Sequence, residues 1–332
     1  MMTESFNVLI SSAGRRVALL RIFRETLREL GLAGEVLATD MSPASAAFQE
    51  ADGCWQVPRC TGPQFVPHML ELCRRQNIRL LVPTIDTELP TYAARREAFA
   101  AQGTVVAVSA PEVIAIGNDK VRTYAWLTEQ GFPTVRQESV EHILACGGDG
   151  WPLPLIAKPR FGSASIGVQR IESLEQLRLL PPQAQYVVQT IAPGDEYTVD
   201  VLVNRQGRGL CAVPRKRLEV RGGEISKGMT ERQESLVALT RRLAETLPGA
   251  YGALNVQVFW DCATRTSSII EINARFGGGF PLTWQAGGRY PQWIIEEILG
   301  RSTTTSTEAW SDRLLMLRFD DALFLPAVMA GL

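Results

Sequence analysis

The chain opens with short apolar runs alternating with amphipathic stretches. Asn7 to Ser11 is apolar and Ser12 to Arg16 polar; Val17 to Leu30 then repeats Leu20, Phe23, Leu27 and Leu30 at three- and four-residue steps, which predicts a helix stopped by Gly31. Apolar runs at Val36 to Thr39, Leu80 to Thr84 and Val105 to Ser109 predict strands, with helices at Phe65 to Arg75 and Leu89 to Ala101. Such alternation predicts parallel strands joined by right-handed crossovers, hence an open doubly wound α/β sheet over roughly the first 110 residues.

Beyond Pro111 the pattern changes. A helix through Lys120 to Gln130 ends at Gly131, and the connector Ala145 to Trp151 leads to a strand, Leu155 to Lys158, and then to PRFGSASIG. Strands are predicted at Tyr186 to Ile191, Glu196 to Val203, Gly209 to Pro214, Leu254 to Trp260, Ser268 to Ile272 and Leu314 to Phe319, with one helix at Arg232 to Leu247. This half reads as an α+β unit on antiparallel sheet. A length of 332 residues agrees with about two domains at roughly 150 residues each.

Composition narrows the function classes. With 45% hydrophobic and 21% charged residues the chain can bury a core, so global disorder is excluded. Basic and acidic residues balance to a formal charge of -1, without the basic footprint of a nucleic-acid binder. No run approaches the ~20 apolar residues of a membrane span, and Met1 to Asn7 is too polar for a secretory signal, so a cytoplasmic protein is expected. Six cysteines without a CxxC pair read as reduced, mostly buried thiols. His68 and His142 read as structural; so few histidines disfavour triads and histidine metal sites and point any metal toward a hard cation with oxygen ligands.

Several groups could carry chemistry. SSAGRR supplies one glycine, Gly14, where a dinucleotide fingerprint asks for three, so a nicotinamide or flavin cofactor is not expected. Asp86 and Glu88 follow a buried strand, where open sheets place ligand groups; a solvated loop fits equally well. Lys158 leads into a loop with Gly162, Ser163, Ala164, Ser165 and Gly167, whose small residues let backbone amides approach phosphate oxygens; a hairpin tip would look the same. Lys120, after Asp119, is a weaker candidate. Glu271, Asn273 and Arg275 recur at two-residue steps, and Gln257 could join them across a hairpin. Oxygen ligands on one face suit Mg2+, while a cross-strand network with Arg275 on Glu271 is the plainer alternative; the glycines at 277, 278 and 279 favour a ligand. In VVQTIAPGDEYTVD the backbone of Gln189 to Ala192 could read an adenine edge and Glu196 could accept from ribose hydroxyls, although a plain hairpin explains the segment too. Arg215, Lys216, Arg217, Arg221 and Lys227 read most simply as a charged solvent face.

Taken in order, DK at 119–120, AKP at 157–159, the glycine loop, QTIAPGDEYTVD, NVQ at 255–257 and EINARFGGG at 271–279 resemble the ATP-grasp superfamily, particularly the branch related to the carbamoyl-phosphate synthase large chain. The resemblance implies a Rossmann-like domain over 1–115, a small lid subdomain over 116–190 and a large subdomain over 191–332. It implies that Lys120 and Lys158 contact ATP phosphates, with Lys158 also near the adenine. Phe161 to Gly167 would close over the triphosphate, and Gln189, Thr190, Ile191 and Ala192 would bind adenine, with Glu196 on the ribose. Thr190 stands where an acidic or basic residue is frequent, so adenine recognition there rests on backbone. Gln257, Glu271 and Asn273 would hold Mg2+, with Mn2+ as a substitute. Asn273 and Arg275 would lie at the reacting centre, Arg275 meeting the γ-phosphate and the substrate; Arg217 and Lys227 are further candidates for the substrate carboxylate or γ-phosphate.

The activity implied is an ADP-forming carboxylate-amine ligase that activates a small-molecule carboxylate as an acyl phosphate for attack by an amine; many members form homodimers. A kinase, a bicarbonate-activating carboxylase and a non-catalytic nucleotide-binding regulator are the alternatives. A single such unit without a glutaminase partner argues against complete carbamoyl-phosphate synthesis.

Overall fold

The computed structural model describes residues 5–331, apart from residues 164, 182, 184 and 304–306. Its first sheet contains β1 (Asn7–Ser11), β2 (Val36–Asp40), β3 (Cys54–Gln56), β4 (Ile78–Pro83) and β5 (Val105–Val106), all parallel, in the order β3-β2-β1-β4-β5. Continuous apolar runs form these strands because both sheet faces are covered: Leu9, Leu37 and Leu81 enter one core, while Val8, Ile10, Val36 and Val82 enter another. The strand order reverses between β1 and β4. At such a switch point the two outgoing turns diverge and leave a crevice, here between Ser12 to Arg16 and Thr84 to Glu88.

A second, smaller sheet holds β6 (Gln137–Ser139), β7 (Leu155–Pro159), β8 (Gln169–Ile171) and β9 (Tyr186–Thr190), antiparallel in the order β6-β9-β7-β8. Its core is separate, built from Ile143, Trp151, Leu155, Ile171, Leu177 and Val188 with their neighbours. The third sheet contains β10 (Asp195–Val203), β11 (Gly209–Arg221), β12 (Glu224–Thr230), β13 (Gly252–Asp261), β14 (Thr266–Asn273) and β15 (Leu315–Leu317), in the order β14-β13-β10-β11-β12-β15. One face of this sheet is apolar: Tyr197, Val199 and Val201 share a core with Leu236 and Leu243 of the helix Glu234–Thr246 and with the first sheet's Leu9 and Leu81. Large hydrophobic clusters therefore run through both the leading domain and the third sheet, whereas the second sheet packs its own.

Four expectations need correction. The helix predicted over Leu89 to Ala101 is two short helices, Leu89–Ala93 and Arg96–Ala100, which bring Tyr92 and Phe99 edge to face at 5.6 Å in the core. The segment around Pro193 and Gly194 is no hairpin: β9 and β10 belong to different sheets, and residues 191–194 join them. Strand β11 runs seven residues past Pro214 and turns into β12, which the charged composition had concealed. The six cysteines are unpaired; Cys60, Cys73 and Cys211 are buried, but Cys54, Cys146 and Cys262 are exposed, so they are not mostly buried. No helix among the described residues is long and apolar enough to cross a membrane.

Candidate active site

The polar face of the third sheet is organised in transverse rows set by strand register. Thr198 on β10 lies opposite Arg215 on β11 and Gln257 on β13, and Gln257 lies opposite Glu271 on β14. In the next row Asn255 lies between Asp200 and Asn273, paired with each. Alternation of side chains along each strand puts these groups opposite the apolar core. Strand β14 ends at Asn273, whose carbonyl accepts a hydrogen bond from Arg275 N at 3.0 Å, a tight turn that still leaves Arg275 beside Glu271 and Asn273 on the same cavity wall.

Two cavities meet over this face. One, of about 280 Å³, lies between the second and third sheets and is lined by Lys120, Lys158, the loop residues Gly162, Ser163 and Ser165, the connector Gln189 to Ala192, Glu196, Gln257 and Glu271. Ile156, Ile166, Val168, Phe259 and Ile270 give it apolar walls. The sequence candidates from the loop, connector and hairpin thus converge, with three exceptions: Gly167 is not on the wall, Asn273 lines only the neighbouring cavity, and Ala164 lies outside the described residues. Gly162 has φ +106, a conformation that favours glycine, and its carbonyl accepts from Lys120 Nζ at 2.9 Å. Asp119 explains the DK pair. It caps the helix Lys120–Glu129 by accepting from Val121 N and grips Arg160 of the loop at 2.6 and 2.9 Å, tying the start of that helix to the loop.

Burial lowers the pKa of Lys158, with Glu271 and Glu196 opposing and Lys120 reinforcing; burial likewise lowers Lys120 against Glu271, Asp86 and Asp119. Two ammonium groups held in one cavity below their usual range form a pair that gains by meeting an anion. Burial also raises the Glu196 carboxyl, which Arg217 and Lys158 pull back.

The second cavity, of about 400 Å³, shares Ser163, Gln257 and Glu271 with the first and extends to the switch-point crevice of the leading domain. Its walls include Arg16, Thr84 to Thr87, Arg217, Asn273, Arg275 and the glycines 277–279. Arg275 binds Asp86 in a fork, Nε to Oδ1 at 2.6 Å and Nη2 to Oδ2 at 2.7 Å. Burial works against its charge, but Asp86, then Glu271 and Glu224, raise its pKa overall. Its partner is therefore across the domains and not Glu271. Glu88 has another role than ligand: it is buried, accepts from Ser11 Oγ, Ser12 Oγ and Thr84 N at 2.7 Å each, and stitches the two switch-point turns together.

The basic stretch divides by alternation. Lys216 pairs with Asp195 at 2.6 Å, and Lys227 pairs with Glu219 at 2.7 Å on the exposed side, lining neither cavity, so the expectation for Lys227 is not met by its position. Arg217 points inward, 3.1 Å from Glu196, and Arg215 is 1% exposed. Arg215 forks onto Asp200, Nε to Oδ2 at 2.8 Å and Nη2 to Oδ1 at 2.9 Å; Asn255 and Thr283 donate to the same carboxylate. A Cβ on Gly277 would overlap Asn255 Nδ2 and one on Gly279 would overlap Arg215 Nη1, so the glycine run exists to seat this network. Sequence reasoning gave no role to Asp200 or Asn255 and took Arg215 for part of a solvated face, although the two-residue steps 196, 198, 200 and 215, 217 were the available signal; Arg16, within SAGRR, and Asp86 were expected to help shape a substrate pocket, and both line the second cavity. His68 and His142 are exposed and line neither cavity.

The donor set suits a hard cation. Among the described residues no cluster of three or more His, Cys, Asp or Glu side chains is poised for a metal. Glu271, Gln257 and Asn273 instead offer one carboxylate and two amides, none engaged in a side-chain hydrogen bond among the described residues, where the two cavities join. Such a sparse oxygen set fits Mg2+, which keeps water and phosphate oxygens for its remaining positions.

Residues 8–107 match the family described as the PylC-like N-terminal domain, and residues 183–318 match the family described as ATP-grasp in the biosynthetic pathway with Ter operon. Residues 183–318 thus carry an ATP-grasp match. No curated protein matches it at the level of sequence. Among solved structures, the chain is similar to the biotin carboxylase domain of Hydrogenobacter thermophilus 2-oxoglutarate carboxylase, in complex with MgADP, ADP and bicarbonate, at TM-score 0.73 and 17% identity over 93% of this chain and 73% of that one. It is similar to N5-carboxyaminoimidazole ribonucleotide synthetase from Thermotoga maritima at TM-score 0.66 and 17% identity, over 91% of this chain and 78% of that one. It is also similar to the L-amino acid ligase from Bacillus licheniformis at TM-score 0.65 and 17% identity, over 89% and 74% respectively. At these identities the likeness is one of fold: a parallel-sheet leading domain and two antiparallel sheets enclosing a cleft.

Proposed function

We propose that this protein is an ATP- and Mg2+-dependent ligase that activates a small-molecule carboxylate as an acyl phosphate for attack by an amine, releasing ADP and phosphate. The observation that carries the reading is the junction of two cavities at Gln257 and Glu271, with two lysines on one side and Arg275 on the other. The solved relatives named above, in complex with ADP or acting as ligases by their descriptions, agree with it.

The difficulty of the reaction is charge, because a carboxylate must approach a triphosphate that is already anionic. Lys120 and Lys158 would neutralise phosphate oxygens in the first cavity, with the backbone of Gln189 to Ala192 on the adenine and Glu196 on the ribose. Gln257, Glu271 and Asn273 would hold Mg2+, which when bound offsets charge on the phosphates. Arg275, aimed by Asp86, would meet the transferring phosphoryl oxygens and the entering carboxylate, and Arg217 would help to orient them. The loop at 161–167 would exclude water, to which an acyl phosphate is vulnerable. On this reading residues 1–115 shape the acceptor pocket, 116–190 form the lid and 191–332 carry the metal site.

Release of ADP from Mg2+-ATP, measured across small carboxylates with and without amines, tests the proposal, and hydroxylamine separates its outcomes. A trapped hydroxamate identifies an activated organic carboxylate. ADP release that needs only bicarbonate, or phosphorylation of an alcohol, would replace ligation by carboxylation or kinase activity. Failure to bind Mg2+-ATP would refute the proposal outright.

A further inference from the structure

The far end of the second cavity, away from Gln257 and Glu271, contains more guanidinium donors than the protein satisfies. Arg16, from the first turn of the leading domain, has its side chain only 20% exposed, yet its guanidinium makes no hydrogen bond among the described residues; its nearest acid, Glu224, is 3.7 Å away. Glu224 is already occupied, accepting from Arg318 Nη1 at 3.0 Å with Arg15 also at 3.7 Å. Arg215 gives Nε and Nη2 to Asp200 but leaves Nη1 without a hydrogen bond. Both nitrogens border the same pair of glycines: a Cβ on Gly278 would stand 2.7 Å from Arg16 Nη1, and one on the adjacent Gly279 would overlap Arg215 Nη1. Burial depresses the pKa of Arg16, against Glu224 and reinforced by Arg275, Arg318 and Arg15, as in a like-charge cluster missing its counterion.

The carboxylates on this wall cannot receive a cation instead. Asp86 is forked to Arg275 and Glu224 is shared among arginines, while Glu271 stands at the other end, at the junction with the first cavity. An ammonium placed near Gly278 and Gly279 would face guanidinium groups, and the one acid there, Glu224, whose Oε1 would stand 3.1 Å from a Cβ on Gly278, is already shared by Arg15, Arg16 and Arg318. An oxyanion there would gain charge-assisted hydrogen bonds from donors already gathered and desolvated.

We propose that Arg16 and Arg215 form a second anion subsite, so that the substrate carries another oxyanionic group, carboxylate or phosphate, besides the carboxylate that reacts at Arg275. This deepens the ligase reading and rests on it.

The test uses calorimetry on the full chain saturated with Mg2+ and a non-hydrolysable ATP analogue. The probes are butyrate, succinate and 4-aminobutyrate, which share four carbons and differ in the far group, together with 3-phosphoglycerate. At least one dianion should bind about tenfold or more tighter than butyrate and 4-aminobutyrate, equivalent to one charge-assisted contact. Preference for succinate assigns a carboxylate and preference for 3-phosphoglycerate a phosphate. Arg16→Gln should bring the preferred dianion down to the level of butyrate. Glu224→Gln, which removes the competing acid, should tighten that dianion and serves if the first variant does not fold. Dianions that bind no better than butyrate, or not at all, overturn the subsite; so does a preference that survives Arg16→Gln, or one left unchanged or weakened by Glu224→Gln. Loss of analogue binding by the wild type would instead overturn the proposed function, so the two failures are distinguishable.

Discussion

Replacing Asp200 with asparagine removes one charge from a fully buried ion pair and should be costly out of proportion to its size. Asp200 and Arg215 are 2% and 1% exposed, and all four contacts to the carboxylate come from donors: Arg215 twice, Asn255 and Thr283. An asparagine amide would turn one acceptor into a donor facing donors and leave a guanidinium uncompensated. Breaking a buried pair by removing one partner costs about 3–5 kcal/mol, against a total stability of roughly 5–15 kcal/mol. With a urea slope of about 3 kcal/mol/M, the unfolding midpoint should fall by about 1 M or more. Tryptophan fluorescence is a suitable probe, because Trp284 follows Thr283 in sequence and is buried in the same region. Pairing Asp200→Leu with Arg215→Met, which removes both charges, should recover much of the loss relative to Asp200→Asn. A midpoint shift below about 0.3 M for Asp200→Asn, about 0.9 kcal/mol or less on that slope, would refute the claim that this buried pair is costly to break.

Glu271→Gln should weaken Mg2+-nucleotide binding and turnover together, by about tenfold or more, since the only carboxylate of the donor set is lost; calorimetry with and without Mg2+ reads it, and unchanged Mg2+ dependence would refute the role. Asp86→Asn should lower kcat by roughly tenfold to a hundredfold with little change in the half-saturating ATP concentration, because it loosens Arg275 without touching the nucleotide cavity; an effect confined to ATP affinity would contradict the geometry. Burial lowers Lys120 and Lys158 from the ordinary 10.5, so between their lowered values and 10.5 the unfolded chain holds more protons and the ligand-free protein gains stability as pH rises. Nucleotide binding should show the opposite slope, weakening over the same range as the ammonium groups are lost, and thermal melts with and without Mg2+-ATP across alkaline pH would expose parallel slopes if that assignment is wrong. Gly279→Ala should destabilise by about 1–3 kcal/mol, because Arg215 is locked onto Asp200 and cannot yield; thermal denaturation measures it, and a neutral result would refute the reason given for the glycine run.

The leading sheet was legible because its strands are apolar on both sides and its helices keep strict three- and four-residue steps; Phe65 to Arg75 emerges with the expected ends. The hairpin of Gln257 and Glu271 was legible for a different reason, the fixed alternation of side chains along paired strands. Charge concealed the rest. A run such as Arg215 to Arg221 looks solvated when counted by composition, yet alternate members face a polar cleft and their counter-charges arrive from residues 15 and 21 positions upstream. Long-range pairs were beyond reach altogether. Asp86 and Arg275 are 189 residues apart, and nothing in either neighbourhood names the other. The turn at Pro193 and Gly194 reads as a hairpin locally and becomes a junction only because β9 and β10 find different neighbours.

The switch-point turns and the glycine ribbon form opposite walls of a single compartment, each supplied by a different half of the polypeptide. Neither half owns a complete acceptor chamber. Loosening of the seam between the halves should therefore open the second cavity along one side and admit water to whatever group is activated there.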